Sequence, residues 1–441
     1  MGKKIIVAGA GHGGLSAAAA LSERGFDVTV IEQKKESDLG YDWTDIFDPK
    51  ALSFAGIPHP SKELYEFKEN MTFFNPSLTV PVKQNIPKDE LEIKMERSDI
   101  YKHLISHAKK CGVKFMFETT VSAPILFGNR LCGVVANGEK LYADLVIDAC
   151  GIDSVLRALM PNSCHIEKAP AFGERAHAYR AFYERTGDFS PEHSYEIYLM
   201  HSGKKQVAWV ATEENFVDVL IVRFDKFGSD EVEKTLSQLR KTNPHIGENI
   251  LRGGQFVHIP IRQPLSVLVA DGYAAIGDSA FMTVPLIGSG IANCLKASAL
   301  LVNTITEDTE CAFTAETLWK YQKSYYKLLG EGFCVLATVK NGLFNLEPAE
   351  IDYLFETGFV NESLINISAD FTGLKSLNLT PKDIANKAKA LCSDRILLTK
   401  LLKIASKAAS AIAITSILPK TYSPALVRKW SEKYTSFFSK L

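Results

Sequence analysis

The hydrophobic pattern at the start of the chain predicts a buried strand, a tight turn and a helix. Residues 5–8 form a short, continuous apolar run that is typical of a parallel strand buried on both faces. A glycine-rich turn follows at 9–14, and an alanine-rich segment follows at 15–20. A second apolar run at 28–31 ends at Glu32. The pattern therefore predicts a β–α–β unit at the N-terminus.

The pattern changes character further along the chain. Residues 122–142 contain short apolar runs separated by Gly-Asn and Asn-Gly turns, which predicts a β-meander. Between 165 and 264 the apolar residues alternate and are rich in aromatic and β-branched types, which predicts an antiparallel sheet with one buried face. Buried-strand character returns at 266–276. A strong helical pattern follows at 291–304, and the chain beyond 330 is mostly helical.

The first turn has the glycine spacing of a dinucleotide-binding loop. Gly9, Gly11 and Gly14 form G-x-G-x-x-G between a strand and a helix, which is the context that makes this motif specific. Gly9 allows the tight turn, Gly11 lets the backbone approach a pyrophosphate, and Gly14 lets the helix pack close to the sheet. The free N–H groups and the positive dipole end of the helix attract phosphates. Glu32, at the end of the second strand, is placed to hold ribose hydroxyls.

Two later segments repeat the strand-to-turn arrangement. Asp148 and Gly151 follow the apolar run at 145–147, and a helix begins near 154. Gly277 and Asp278 follow the buried strand at 273–276, and a proline- and glycine-containing loop at 284–290 leads into the next helix. Three separated segments are thus predicted to meet at one nucleotide site.

The order and spacing of these three motifs resemble the FAD-dependent oxidoreductases of the p-hydroxybenzoate-hydroxylase type. That group includes aromatic hydroxylases, flavin halogenases and geranylgeranyl reductases. Within it, the pattern D-A-x-G-x-x-S-x-L-R at 148–157 and the R-x-x-I helix start at Arg97 look most like the geranylgeranyl reductases. The chain departs from the archaeal reductases at 41–44, where it has Y-D-W-T in place of their Cys-Gly. Because of this departure, the sequence does not decide whether the mechanism uses a thiol or whether the substrate is an isoprenoid.

The resemblance implies an α/β fold with a discontinuous, three-layer, Rossmann-like FAD-binding domain. Residues 1–40, 95–160 and 265–330 are predicted to form that domain. An inserted antiparallel-sheet substrate domain is predicted from 41–94 and 161–264, and a helical C-terminal region from 331–441.

The resemblance and the motifs together predict where FAD binds. Asp278 is expected to accept hydrogen bonds from the ribityl hydroxyls, with a helix N-cap as its alternative role. The helix that begins at Ile291 is expected to stabilise negative charge at the pyrimidine edge of the flavin. Arg97 is expected to contact the FAD phosphates or else to be solvated, and His12 to be a tolerated loop residue. The full predicted set is Gly9, Gly11, His12, Gly13, Gly14, Glu32, Gln33, Arg97, Gly151, Asp278, Pro285, Gly288, Gly290 and Ile291.

The favoured function is reduction, or in reverse desaturation, of a carbon–carbon double bond in a small hydrophobic, isoprenoid or lipid-like substrate. Hydride transfer from a flavin to an alkene also requires a proton donor. Tyr41, Asp45 and Tyr198 are the predicted catalytic residues, and His258 is a further candidate that the sequence does not separate from them. The electron donor is expected to be NAD(P)H or ferredoxin, visiting transiently. Two alternatives remain open: an NAD(P)H-dependent monooxygenase acting on an aromatic or polyketide-like substrate, and a flavin-binding protein without turnover.

Composition and charge indicate which partners, location and metal content to expect. The net charge of −1 gives no reason to expect a nucleic-acid partner. The eight cysteines are scattered without C-x-x-C, which favours reduced thiols and a cytoplasmic location, and we predict no metal site. No apolar run is long enough to span a membrane. The oligomeric state is not predicted.

The C-terminal segment is unlike the rest of the chain. Residues 381–441 contain twelve Lys or Arg and only three Asp or Glu. Apolar residues recur at helical spacing from 397 to 408, and aromatic residues are interleaved with basic ones from 428 to 440. Such a stretch either packs as terminal helices on the core or makes peripheral contact with an anionic membrane, and both alternatives stay open with packing favoured.

Overall fold

The computed structural model describes residues 2–187, 190–367 and 394–441. It shows the predicted mixed α/β architecture, with a Rossmann-like sheet, additional antiparallel sheets and C-terminal helices. The strands are β1 Lys4–Ala8, β2 Asp27–Ile31, β3 Thr44–Phe47, β4 Tyr65–Phe67, β5 Thr72–Phe74, β6 Pro81–Lys83, β7 Ile93–Glu96, β8 Lys114–Met116, β9 Val121–Phe127, β10 Arg130–Ala136, β11 Glu139–Tyr142, β12 Leu145–Asp148, β13 Arg175–Arg185, β14 Tyr195–Leu199, β15 Gln206–Thr212, β16 Phe216–Arg223, β17 Ile246–Pro260, β18 Val269–Ala270 and β19 Tyr273–Ala275. The helices are α1 His12–Glu23, α2 Lys50–Phe54, α3 Arg97–Lys110, α4 Val155–Leu159, α5 Ser229–Thr242, α6 Ile291–Glu307, α7 Ala315–Tyr325, α8 Glu331–Leu343, α9 Pro348–Glu356, α10 Glu362–Ile367, α11 Arg395–Ser416 and α12 Pro424–Phe438.

The dinucleotide-binding unit is built on a six-stranded sheet with the order β18-β19-β12-β1-β2-β8. All neighbouring strands pair in parallel except β18 and β19. Their side chains are almost wholly apolar, as burial on both faces requires. Helix α1 packs against both α3 and α6, and the meander β9–β11 packs against β12. The three predicted nucleotide motifs therefore end at one edge of one sheet.

A seven-stranded sheet with the order β17-β13-β16-β15-β14-β5-β6 forms the second unit. Helix α5 covers one face of it, where its apolar stripe joins the alternate residues of β13, β15 and β16. The other face is lined by the remaining alternate residues and faces a cavity. Strand β17 spans 15 residues, and its length was not expected from the sequence.

The segment 41–94 is shared between the two units. Strands β5 and β6 extend the large sheet, whereas β3 and β4 flank β7 in a separate three-stranded sheet. Phe47, Leu52 and Ile93 belong to the same hydrophobic core as the parallel sheet. This segment therefore connects the nucleotide-binding unit to the large sheet.

The C-terminal helices pack against both units. Helix α7 continues through a wide turn at Tyr326–Gly330 into α8, and α11 lies along α8. Helix α12 buries Trp430, Tyr434 and Phe438 in the main core, and the Tyr434 hydroxyl donates to the carbonyl of Pro264 at 2.7 Å. Helix α12 therefore packs on the core, which was the favoured of the two alternatives for the C-terminal segment. Among the described helices, none combines the length and the apolar character that a membrane span needs.

Candidate active site

The site is a cavity of about 1400 Å³ that runs from the glycine-rich loop to the C-terminal helices. One end is formed by the loop before α1, the turn after β12 and the loop before α6. The middle lies under the open face of the seven-stranded sheet. The far end is closed by apolar side chains, which are Met200, Leu343, Phe344, Ile351, Leu354, Phe355, Phe359, Val360, Leu364, Ile365, Leu401, Ile404, Ala405 and Ala408.

Close contacts with Ala149 explain two of the glycines in the loop. A Cβ added at Gly9 would lie 2.4 Å from the carbonyl oxygen of Ala149, and the φ of Gly9 is +93°. A Cβ added at Gly14 would lie 2.7 Å from the Cβ of Ala149. The turn after β12 therefore packs directly against the loop and the start of α1, and larger residues would separate the two motifs.

Glu32 is buried beside the loop and lines the cavity. One of its carboxylate oxygens accepts from the Ala10 N–H at 2.9 Å, and the other accepts from the Lys34 N–H at 2.9 Å. Each oxygen retains a lone pair for a further donor. The neighbouring Gln33, which was predicted to bind the cofactor, is exposed and does not line the cavity.

His12 is buried at the first turn of α1. Burial, together with the nearby positive charge of Arg97, lowers the pKa of His12 to about 4, so the ring is neutral. Its centroid lies 4.6 Å from that of Tyr101. The buried Nε2 atom has no hydrogen-bond partner among the described residues. A ligand in the cavity would satisfy this atom.

The loop before α6 forms the opposite wall of the same end. Asp278 accepts from the Thr283 hydroxyl at 2.7 Å, and burial raises the pKa of this carboxyl group. A Cβ added at Gly290 would lie 2.8 Å from the Thr283 hydroxyl oxygen, so a larger residue would have to displace the Thr283 side chain. The other predicted residues that line this end are Gly11, Gly13, Gly151, Pro285, Gly288 and Ile291.

Arg97 joins the two walls at the centre of the cavity. Its Nε and Nη2 atoms donate to the two carboxylate oxygens of Asp45, each at 2.6 Å, and Nη1 donates to the Tyr41 hydroxyl oxygen. Although burial opposes its charge, the Asp45 carboxylate raises the pKa of Arg97. Arg97 is therefore largely buried and paired rather than solvated, and its contact with the FAD phosphates stays a prediction. Asp45 positions Arg97, since both carboxylate oxygens accept from the guanidinium group.

Tyr41 faces the cavity in its neutral form. Burial raises its pKa to about 12, although the positive charge of Arg97 opposes the increase. Because Arg97 already donates to the hydroxyl oxygen, the hydroxyl proton points to another acceptor. Tyr41 therefore combines a retained proton with access to the cavity.

Tyr198 lies on the wrong face of the sheet for catalysis, which corrects its prediction. Strand β14 directs Ile197 and Leu199 into the cavity, whereas Tyr198 packs in the core beneath α5. Its hydroxyl donates to Glu196 at 2.6 Å and accepts from Asn243 at 2.7 Å. Side chains alternate along a strand, so a residue between two cavity-facing positions must face away.

Several cavity residues were not predicted from the sequence. Arg180 pairs with Asp218 and also donates to the Thr44 carbonyl group. Lys68 pairs with Glu92 at 3.1 Å, and both side chains line the cavity. These partners are distant in sequence, so no spacing motif marks them. His258, the further candidate, lines the cavity from an exposed position on β17.

The two thiols that line the cavity are not activated, and a group of potential metal ligands lies outside the cavity. Burial raises the pKa of both cavity-lining thiols, Cys150 and Cys294, which keeps them protonated. Outside the cavity, potential ligand atoms of Glu23, His107 and Cys111 lie within 4.8 Å of one another. The sequence spacing did not reveal this surface group.

The polar groups at this end of the cavity fit FAD. His12 with its buried Nε2, Glu32 with its free lone pairs, and the N-terminus of α6 all line the cavity end where the three motifs meet. The glycines at this end leave the backbone open to a ligand. The remaining cavity is large enough for a second, mainly apolar molecule.

Comparisons with known proteins agree with this geometry. The family model described as an NAD(P)-binding Rossmann-like domain matches residues 7–59, and the squalene epoxidase model matches residues 252–357. A digeranylgeranylglycerophospholipid reductase of Haloferax volcanii is 24% identical over 379 residues, which cover 78% of this chain and 84% of the relative. A protein of the same name from Sulfolobus acidocaldarius is 23% identical, with 81% of each chain covered.

Solved structures show the same fold. A geranylgeranyl bacteriochlorophyll reductase-like protein from Thermoplasma acidophilum has a TM-score of 0.74 and 18% identity, and the match covers 91% of this chain and 99% of that one. A probable FAD-dependent monooxygenase from Pseudomonas aeruginosa has a TM-score of 0.59 and 17% identity, covering 81% and 100%. These findings confirm the resemblance to geranylgeranyl reductase-like proteins, the FAD-binding fold and the assignment as an FAD-dependent oxidoreductase.

Proposed function

We propose that this FAD-dependent oxidoreductase reduces a carbon–carbon double bond in a long isoprenoid or lipid-like substrate. The observation that carries the proposal is the continuous, mostly apolar cavity between the three FAD motifs and helices α8, α9 and α11. The cavity crosses the sheet from β17 to β5, five strand spacings that amount to about 24 Å. A compact aromatic substrate would leave most of that length empty, whereas a long chain would fill it.

FAD bound in its reduced form would supply a hydride, and the chain would have to supply the proton. Tyr41 donates its hydroxyl proton to the second carbon of the double bond while hydride adds to the first. Arg97 holds the Tyr41 oxygen and stabilises the negative charge that develops there, and Asp45 holds Arg97. Trp43, Trp209 and Arg180 form the wall beside them and exclude water. NAD(P)H or ferredoxin, acting transiently, restores the reduced cofactor.

The direct test uses purified, FAD-loaded protein that has been reduced under anaerobic conditions. A geranylgeranyl-chain lipid is expected to reoxidise the flavin and to gain two hydrogen atoms per reduced bond, measured by absorbance and mass spectrometry. Flavin that stays reduced in the presence of such lipids would refute the proposal.

The match of residues 252–357 to the squalene epoxidase model supports the monooxygenase as the second candidate. Oxygen-dependent incorporation of a hydroxyl or epoxide oxygen would favour that candidate.

Glu32 is proposed to contact the ribose of FAD, and its substitution tests the binding mode. Glu32→Ala removes the carboxylate whose remaining lone pairs would accept from the ribose hydroxyls, and a hydrogen bond to a charged group is worth about 1.5–3 kcal/mol. We expect the dissociation constant of FAD to rise at least about tenfold. Gln33→Ala, at the exposed neighbouring position, is the matched control and should leave FAD affinity unchanged. Fluorescence titration of each apoprotein variant with FAD measures the two affinities. An equal loss of FAD affinity in Glu32→Ala and Gln33→Ala would contradict the proposed ribose contact.

The outer face of α11 is proposed to rest on an anionic lipid surface. Ile396, Leu402 and Ile412 are exposed by 73%, 60% and 44% along α11, and Lys403 and Lys407, which lie between them in the sequence, are exposed as well. Apolar side chains flanked by lysines are typical of interfacial helices. The inner face of the same helix lines the cavity, so a lipid on this surface would lie close to its binding site. The cytoplasmic location remains a prediction.

Vesicle binding tests this surface. The double variant Leu402→Glu, Ile412→Glu should lower co-sedimentation with phosphatidylglycerol vesicles at least about tenfold, because burying each apolar side chain contributes about 1.5–3 kcal/mol. High salt should weaken binding of the unmodified protein. Phe127→Glu, at an 83% exposed apolar residue on the meander, serves as the control and should have no effect. Undiminished binding of the double variant would locate the contact elsewhere.

A further inference from the structure

A polar patch interrupts the apolar wall of the cavity away from the FAD motifs. It consists of Lys68, Gln84 and Glu92, all of which line the cavity. Lys68 is only 2% exposed, and its Nζ lies 3.1 Å from Glu92 Oε2. A buried ion pair contributes little net stability, because the desolvation of both charges offsets their attraction. Folding therefore offers no reason for a charged pair at this place.

The patch has unused hydrogen-bonding capacity. An ammonium group has three donors, and Glu92 is the partner of Lys68 Nζ among the described residues. Gln84 accepts from the Met71 N–H at 3.1 Å through its oxygen, and its amide nitrogen has no recorded partner in the part of the chain that the structure describes. The patch therefore offers several free donors together with the remaining lone pairs of one carboxylate.

The charge balance of the cavity excludes a tightly held anion. Three buried cations line its substrate part, and each is paired with a carboxylate: Arg97 with Asp45, Arg180 with Asp218, and Lys68 with Glu92. Among the described residues of that part, no cation is left to balance a phosphate. An uncharged group that both accepts and donates hydrogen bonds matches the patch better.

Strand register places the patch at a distance from the proton donor. Asp45 pairs with Met95, and Met95 pairs with Tyr65, so β3 and β4 are two strand spacings apart. Lys68 follows Tyr65 by three residues. It therefore lies about 10 Å across the strands and about 10 Å along them from Asp45. A chain whose double bond lies beside Tyr41 can place a polar end at the patch.

We infer that Lys68, Gln84 and Glu92 bind an uncharged, hydroxyl-bearing end of the substrate chain. Lys68 and Gln84 donate to the hydroxyl oxygen, and Glu92 accepts the hydroxyl proton. The inference rests on the proposed long-chain substrate and adds to it the chemistry of one end. It makes the patch a specificity site that distinguishes an alcohol from a phosphate or a plain hydrocarbon.

The experiment measures binding of three probes to the FAD-loaded protein without turnover: geranylgeraniol, geranylgeranyl phosphate and the matching hydrocarbon. Flavin or tryptophan fluorescence reports the dissociation constants. Geranylgeraniol is expected to bind at least about tenfold more tightly than the other two, as one or two hydrogen bonds to charged groups would give.

Lys68→Met combined with Glu92→Leu removes both charges together, which avoids leaving one of them buried alone. This variant should lose the preference for the alcohol and bind the hydrocarbon as before. Lys109→Met with Glu36→Leu, at an exposed ion pair, is the matched control. Lys68→Met alone should already weaken alcohol binding.

The outcomes separate the two proposals. Tighter binding of the phosphate, an equal loss for alcohol and hydrocarbon, or binding of none of the probes would overturn the inference. Alcohol binding that depends on the patch, in a protein that never reduces the bound chain, would instead overturn the proposed reductase activity and leave the patch assigned.

Discussion

Tyr41→Phe is expected to lower the rate of alkene reduction by about 100-fold or more, the usual contribution of a positioned general acid. The substitution removes the neutral hydroxyl group but retains the ring that packs against Trp43 and Arg97. Reduction of the flavin by the electron donor should be unchanged, because that half-reaction needs no proton from Tyr41. Anaerobic stopped-flow measurement of flavin reoxidation by the lipid separates the two half-reactions.

The pH profile adds a second readout for Tyr41. Its raised pKa of about 12 keeps the hydroxyl protonated, so reoxidation should not fall through loss of this proton until the pH approaches that value. Tyr142→Phe, at a 62% exposed tyrosine on β11, is the control and should not alter either half-reaction. If Tyr41→Phe reoxidises at the unmodified rate, the proton comes from another group or from water.

The nucleotide site was largely predictable because short, local sequences determine it. Gly9 and Gly14 adopt their positions through the strand, turn and helix that immediately surround them, and the turn after β12 has the same local origin. The Asn-Gly turn at 137–138 also joins β10 and β11 as its sequence predicts. Each FAD motif therefore follows from a segment of fewer than about 30 residues, and the order of the three motifs along the chain indicates the fold class.

The catalytic centre was only partly predictable, because it depends on pairings between distant segments. Tyr41 and Asp45 were named, but nothing local shows that Arg97 binds both of them across more than fifty residues of chain. The prediction that Tyr198 is catalytic was wrong for a related reason. Its orientation follows from the register of β14 against β15, where Tyr198 pairs with Ala208 and Ile197 pairs with Trp209. Register is a tertiary property that alternation alone does not specify.

The far end of the cavity could not be predicted, because the four C-terminal helices α8 to α11 form it together. The apolar stripe of α11 was recognised, but amphipathicity does not say whether a stripe covers a core, a membrane or a ligand. In the structure the stripe covers both a core and the cavity. Leu397 is fully buried near α9, whereas Leu401 and Ile404 line the cavity. The length of the cavity is therefore determined by tertiary packing.

Leu401→Trp should shorten the cavity and make the enzyme selective for short chains. Leu401 lines the far end, so an added indole ring must displace either the substrate or the wall, at an overpacking cost of about 1–3 kcal/mol. For a four-isoprene chain, kcat/KM is expected to fall about 10- to 100-fold, mostly through KM, while a two-isoprene chain should be reduced normally. Leu402→Trp, at the adjacent residue on the outer face of α11, is the matched control. Steady-state kinetics with both chain lengths measure the difference, and an equal loss for the two chains would mean that the substrate does not extend to α11.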